Sequence, residues 1–392
     1  MEKIRIGDAC ELLNGFAFKS ENYVEKGIRI IRIANVQKGY IEDNTPAFYP
    51  ADSEGLDKYM LEENDLLMSL TGNVGRVAIL QKDMLPAALN QRVACLRLKT
   101  DRITKGYLFH LLNSDFFEQK CIQSSKGVAQ KNMSTEWLKD FLIPVYSVEK
   151  QQEITTTLDY LRDIIDKRKQ ELNKLDELIK ARFVEMFGDL ADPACKWEKC
   201  KLVDTCVNSD DIKCGPFGTQ LGKDEYTEEG VAVWEIPQIN SEFRTLPTHF
   251  VTENKAKELD AYSIIPGDIA MSRKGNVGRC AVFPANFENG IMHSDVLRIR
   301  LDETKTFPEF MMRQLHYSGD IQHQIEHVSS GAIMAGINVT NLKHIFVYLP
   351  PIELQGEFVA FVAQVDKSKV VVQKSLDETQ MLYYSLLQEY FG

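Results

Sequence analysis

From Ile154 to Met186 apolar residues recur every three or four positions, at Ile154, Leu158, Leu161, Ile165, Leu172, Leu175, Ile179 and Met186. Only Arg168 and Arg182 interrupt the spacing. Adding 204 to each number returns the pattern at Phe358, Val362, Val365, Lys369, Val372, Leu376, Thr379, Tyr383, Leu386 and Tyr390, and each run closes on Phe-Gly. A seam of this period held over four heptads predicts a coiled-coil helix rather than an ordinary amphipathic one. Elsewhere the pattern switches. Gly27–Val36 (GIRIIRIANV), Leu66–Leu70, Arg76–Leu80 and Val93–Leu98 carry the β-branched, alternating composition of strands, while Gly106–Gln123 has helical period.

The non-helical parts are also written twice. NGFAFKSENY (Asn14–Tyr23) is matched by CGPFGTQLGKDEY (Cys214–Tyr226), and GIRIIRIANV by GVAVWEIPQI. GNVGR occurs at Gly72 and again at Gly275. Further on, Asn132 aligns with Asn338, and FLIP, ending at Pro144, with VYLP, ending at Pro350. Self-similarity of this length means a duplicated unit. The expected fold is α+β: two tandem domains separated by two long helices that pair as an intramolecular antiparallel coiled coil, with pseudo-twofold symmetry. The boundaries fall at residues 1–147, 148–190, 191–350 and 351–392. The seam residues Ile154, Leu158, Leu161, Ile165, Leu172, Leu175, Ile179, Phe358, Val362, Val365, Val372 and Leu376 are the expected pairing surface.

Charge changes the picture only locally. The net charge is −11, the first globular part is balanced and the second is acidic, so a nucleic-acid surface has to be a local patch. No apolar run reaches the roughly 18 residues of a membrane span. The first residues lack an apolar signal core, and a cytoplasmic location is expected. Eight cysteines fit a reducing compartment. The cluster Cys195, Cys200, Cys206, Cys214 has no C-x-x-C pair, and His316, His323 and His327 have no acidic or thiol partner at ligand spacing. No metal ligand is assigned.

Catalytic signatures are missing. Gly218 to Lys223 is one residue short of a phosphate-binding loop and is followed by Asp224, and no Gly-x-Gly-x-x-Gly follows a strand. Pro350-Pro351 lacks the Asn/Asp and the aromatic residue that would hold a flipped adenine, and Glu118-x-Lys120 is too short a pattern to mean a nuclease. The triplet His293-Ser294-Asp295 is read as part of a strand, where neighbours point to opposite faces. What remains is a set of polar loops in equivalent positions of the two copies. Their candidate DNA contacts are Lys19, Ser20, Thr71, Asn73, Arg76, Asn90, Arg92, Lys126, Lys131 and Asn132 in the first copy. In the second they are Thr219, Lys223, Arg273, Lys274, Asn276, Arg279, His293, Ser330 and Asn338. Arg and Asn reach guanine and adenine edges in pairs of hydrogen bonds, and Lys and Ser reach phosphates. Arg76 and Arg279 head this set, although a Gly-Asn turn between strands is equally a plain hairpin. The aromatics Phe16, Phe18 and Phe217 are read as core.

In the order of these motifs, duplicated, the chain resembles the specificity subunit of type I restriction-modification systems over essentially its whole length. Asn14–Tyr23, Cys214–Tyr226, the paired GNVGR loops, the exits at Pro144 and Pro350 and the two heptad helices carry the likeness. The resemblance implies two target-recognition domains, each reading half of a bipartite DNA sequence across a fixed gap. It also implies spacer helices that dock two modification subunits, with restriction and translocation subunits as further partners. Methylation of adenine at N6, and the S-adenosylmethionine it consumes, would belong to the partners, leaving this chain non-catalytic and without a cofactor. Two other readings stay open: a structural adaptor with twin ligand-binding domains on a coiled coil, and an enzyme with a zinc site at Cys195–Cys214.

Overall fold

The computed structural model describes residues 2–125, 132–192, 194–329 and 336–392. It contains two compact units, Met1–Glu171 with Val372–Gly392, and Leu172–Val371. Each holds one globular part and a portion of each of two 40-residue helices, Val148–Phe187 and Ile352–Phe391.

The first unit is built on a four-stranded antiparallel sheet in the order Cys10–Asn14, Val93–Leu98, Leu66–Ser69, Val77–Ile79. Side chains alternate across it, and both faces are covered. Leu66, Met68, Val77, Ala94 and Leu96 face the helices Lys105–Leu112 and Asp115–Ser124. Leu67, Ala78, Val93 and Cys95 face a smaller sheet of Phe48–Tyr49, Ile28–Ile31 and Ala87–Leu89. A short ribbon, Glu2–Arg5 against Leu142–Val145, closes the unit beneath the long helices.

The second unit repeats the plan with Ile212–Cys214, Val296–Ile299, Ile269–Ser272 and Cys280–Val282 as its central sheet. Here Ile269, Met271, Leu297 and Ile299 face helices, and Ala270, Ala281 and Val296 face the layer of Trp234, Phe243 and Phe283. Each central sheet carries the same buried ion pair at a strand entrance. Arg97 holds Asp65 through Nε and Nη2 at 2.8 and 2.7 Å, and Arg300 holds Asp268 at 2.7 and 2.8 Å. Paired two-point contacts of this kind compensate the burial of a carboxylate.

GIRIIRIANV does not run as one strand. It pairs over Ile28–Ile31 and then turns into a single 3-10 turn, Ile33–Asn35. The buried Asn35 side chain accepts from Arg32 N at 2.9 Å and donates to Glu42 O at 2.8 Å, so local side-chain bonds displace the ladder. Gln238 does the same in the second unit, accepting from Glu235 N at 3.1 Å. The periodic stretch Gly106–Gln123 is two helices, because Ser114 caps the second by accepting from Phe117 N at 3.2 Å.

The helix seam is as the periodicity implies. In the first unit Ile154 and Leu158 are fully buried with Tyr107, Leu387 and Phe391. In the second, Ile179, Phe183 and Phe187 pack on Phe310, Phe358 and Val362. Phe183 and Phe187 both lie 5.5 Å from Phe358, while the earlier Asp176 meets the later Lys369 at 2.6 Å, so the two helices run antiparallel. Leu161, Ile165, Val365, Val372 and Leu376 are buried, and Leu172 and Leu175 half-buried. Arg168 and Arg182 are half-buried, each paired to a Glu three residues on at 2.8 Å, and the Arg182 guanidinium also lies 5.7 Å from the Phe361 ring of the other long helix.

Strand register corrects two of the sequence alignments. Ile143 pairs with Ile4 just as Val347 pairs with Cys200, so the exit strands match Pro144 with Tyr348 rather than with Pro350. Likewise Asn338 is a helix N-cap, accepting from Asn341 N at 2.7 Å; its counterpart is the N-cap Ser134, and Asn132 corresponds to Gly336. In both places the similar short motifs lie two residues out of structural register.

Candidate nucleic-acid interface

At one end of the first unit four loops are stitched together by backbone hydrogen bonds. Phe16 N donates to Leu89 O at 2.8 Å, and Gln91 N returns to Phe16 O at 2.9 Å. Val93 N donates to Asn90 O at 2.9 Å, closing a turn. Leu70 N then binds Arg92 O at 3.0 Å, Met133 N binds Leu70 O at 2.9 Å, and Thr71 bridges Asn132. Close packing demands glycine at position 15: a Cβ there would sit 2.2 Å from the Asn90 carbonyl.

The second unit joins the equivalent loops, but fastens the first of them differently, since Pro216 stands in the place of Phe16 and has no N–H to donate. Gly215 N donates to Val296 O at 3.0 Å, and a Cβ on Gly215 would sit 2.2 Å from His293 O. Val296 N donates to His293 O at 2.9 Å, Arg273 N to Asp295 O at 2.9 Å and Ile337 N to Arg273 O at 3.2 Å, while Lys274 bridges Gly336. Candidates scattered through the sequence thus converge on one surface in each unit.

Asn90-Gln91-Arg92 and His293-Ser294-Asp295 are turns, not strand starts as expected. Asn90 Oδ1 accepts from Arg92 N at 3.2 Å, and His293 Nδ1 accepts from Asp295 N at 3.2 Å. His293 is therefore occupied as a turn acceptor. Lys19, Ser20, Asn73, Arg92 and Asn132 are exposed on the first edge, Asn90 is half-buried and Thr71 is buried. Thr219, Lys223, Lys274 and Asn338 are exposed on the second, with Arg273 and His293 half-buried, while Asn276 is exposed at a cleft beside the long helix. Lys126, Lys131 and Ser330 lie outside the described residues.

The GNVGR hairpin faces two ways. Its first residues join the edge, and its glycines take positive φ, 71° and 81° in one copy and 69° and 83° in the other. Its arginine turns the other way. Arg76 Nη1 donates to Gln37 Oε1, and Arg279 pairs with Glu242 at 3.0 Å. Arg279 lines a cleft of about 630 Å³ with Asp176, Lys180, Glu242, Arg313 and His316, against the long helix and away from the stitched loops. Burial, together with the charges of Arg279 and Arg313, pushes His316 down to about 4; its Nε2 faces the backbone N and thiol of Cys280 at 3.2 and 3.3 Å. The edge proper carries Lys19, Arg92, Lys223 and Lys274, of which Lys19 is paired to Glu21 at 3.8 Å and Lys274 to Asp295 at 2.7 Å.

Two functional features escaped the sequence reading. Gln151 and Gln355, both fully buried, lock the globular parts to the long helices. Gln151 accepts from Thr104 N at 2.8 Å and donates to Arg102 O and Tyr146 O at 2.8 and 2.9 Å. Gln355 accepts from Thr306 Oγ1 and Phe307 N and donates to Lys305 O and Pro350 O. Their identical place in the repeat was the available signal. The second is Phe217, read as core like Phe16 and Phe18. Those two pack on Tyr59 and Tyr49, whereas Phe217 is 53% exposed.

The four clustered cysteines carry no disulfide, and among the described residues no group of three or more His, Cys, Asp or Glu is placed to hold a metal ion. Among the same residues no helix is long and apolar enough to cross a membrane.

Comparison with known proteins adds the following. The family model described as Type I restriction modification DNA specificity domain matches residues 1–177 and again 196–378. The type I restriction enzyme EcoBI specificity subunit of Escherichia coli is 24% identical over 422 residues, spanning 99% of this chain and 85% of that protein. The StySPI specificity subunit of Salmonella potsdam is 22% identical over 404 residues, spanning 98% and 86%. Among solved structures, the S subunit of a type I restriction-modification system from M. genitalium is similar in fold, with a TM-score of 0.59 over 100% of this chain and 96% of that one at 16% identity.

Proposed function

The chain belongs to the type I restriction-modification DNA specificity family, and on that premise we propose that its two stitched edges each read one half of a bipartite DNA target. The observation that carries the reading is the duplication of the edge itself. Both units keep the bonds that close the turn before Val93 or Val296 and tie it through Leu70 or Arg273 to the following loop, with cationic and amide side chains on the outer face. A rigid backbone frame carrying variable polar side chains suits base-edge contacts, and the flanking Lys and Arg suit phosphates. The contacts fall to Lys19, Ser20, Asn90, Arg92 and Asn132 in one unit and to Thr219, Lys223, Lys274, His293 and Asn338 in the other. Arg76 and Arg279 act one step back, holding the hairpin.

The chain performs no chemistry in this reading. It directs N6 methylation of adenine by two modification subunits that bind S-adenosylmethionine and dock on the long helices, and restriction subunits join the same assembly in the cytoplasm. Mapping N6-methyladenine in cells that hold this chain with its modification subunits tests the proposal. Methylated adenines should fall in a motif of two short sequences separated by unspecified bases, and vanish when this chain alone is removed. Methylation that survives its removal, or transfer by the purified chain without partners, would refute it.

A further inference from the structure

The edge loop of the second unit differs from that of the first in one physical respect. Gly15 and Gly215 are equivalent, as their contacts with Asn90 and His293 require, and the single turns Ser20–Asn22 and Lys223–Glu225 follow them. The second loop is longer between these points, and the insertion is a pinned tip. Gln220 N donates to Phe217 O at 2.7 Å, and Phe217 N to Gln220 Oε1 at 3.2 Å. Tyr262 Oη holds the same Oε1 at 3.0 Å, and Leu221 is buried beneath. At the tip stands Phe217, 53% exposed. Arg273 lies 5.4 Å from its ring centroid and is itself held by bonds from Nε to Ile337 O and Nη1 to Ser294 O. In the first unit Ala17 occupies this position, and the flanking Phe16 and Phe18 turn inward onto Tyr59 and Tyr49, at 5.2 and 5.0 Å.

We propose that Phe217 stacks on a base in the half-site read by the second unit, opening one base step there and none in the other half-site. An exposed aromatic ring on a rigid tip, backed by the Arg273 guanidinium, matches the flat apolar face of a base and a phosphate beside it. Apolar side chains inserted between base pairs unstack and kink a duplex, and a pinned ring is better suited to this than a mobile one. The inference rests on the DNA-reading role proposed above and adds an asymmetry to it: one half-site is read with distortion, the other without.

The test uses this chain in complex with its modification subunits and a duplex carrying the mapped target. 2-Aminopurine replaces adenine at successive positions of both half-sites. On binding, fluorescence should rise several-fold in one half-site only, and the rise should vanish with Phe217→Ala and Phe217→Leu, each losing about tenfold in affinity. Phe217→Trp, which keeps a stacking face, should retain affinity, and all three variants should unfold with the wild type because the ring fills no core. Persistence of the rise in Phe217→Ala, or its absence from both half-sites of a bound wild-type complex, would overturn the stacking role while leaving DNA reading intact. A wild-type complex that neither binds nor methylates the mapped duplex would remove both.

Discussion

A single buried carboxamide fastens each globular part to its helix. Replacing Gln151 by leucine keeps its volume but strands Thr104 N, Arg102 O and Tyr146 O in the interior. Each unsatisfied group costs about 1–3 kcal/mol, so Gln151→Leu should destabilise the first unit by about 3 kcal/mol or more. Denaturant melts and faster amide exchange in Lys105–Leu112 would register it; an unchanged midpoint would mean that water replaces the bonds. His316 supplies a pH dependence. Burial, then Arg279 and Arg313, push it down to about 4, whereas an unfolded histidine titrates near 6.5. The unfolded chain therefore takes up the proton first. Stability from this site is complete above about pH 6.5 and is lost as the pH falls towards 4, by about 3 kcal/mol over that window. At the equivalent position the first unit carries Asn113, so His316→Asn should flatten the acid limb of a stability-versus-pH curve; an unchanged limb would assign it to other groups.

The long helices show what periodicity can and cannot reveal. Their seam was readable because its apolar positions are buried at regular spacing, as at Ile179, Phe358 and Val362. Their N-terminal turns were not. The first helix begins at Val148, two turns before Ile154, and those turns face the globular part with Gln151, a polar residue that hydropathy assigns to solvent. The convergence of the edge loops was equally hidden, since backbone bonds between residues such as Leu70 and Arg92 leave no trace in side-chain pattern. Duplication stood in for them: Gly15 and Gly215 mark the same close approach twice. Lengths can be altered without disturbing the seam. Removing the matched heptads Lys167–Asn173 and Val370–Leu376 shortens both helices by about 10 Å at 1.5 Å per residue, or about three base pairs of DNA. Methylome mapping of this double deletion should return both half-sites unchanged with a gap shorter by about that amount. Altered bases in either half would contradict the division between edge and helix.

For the whole molecule, the charge balance bears on the proposed reading of DNA. With a net charge of −11, and with Lys19 and Lys274 already paired to acidic neighbours, the described edge residues offer little to neutralise phosphates. Affinity of the isolated chain should be weak and its salt slope shallow, steepening when modification subunits join; a slope as steep for the chain alone as for the complex would place the phosphate contacts here instead. Chain order adds a constraint of another kind. The core of the first unit is completed by Leu387 and Phe391, residues separated from it in sequence by all of Leu172–Val371. At ~5–20 residues per second, synthesis delays them by on the order of ten seconds or more, so the half that leaves the ribosome first has to wait to close. Truncation after Val371 should accordingly spare the half made second and leave the half made first exposed to proteolysis. For this chain, order of birth and order of folding run in opposite directions.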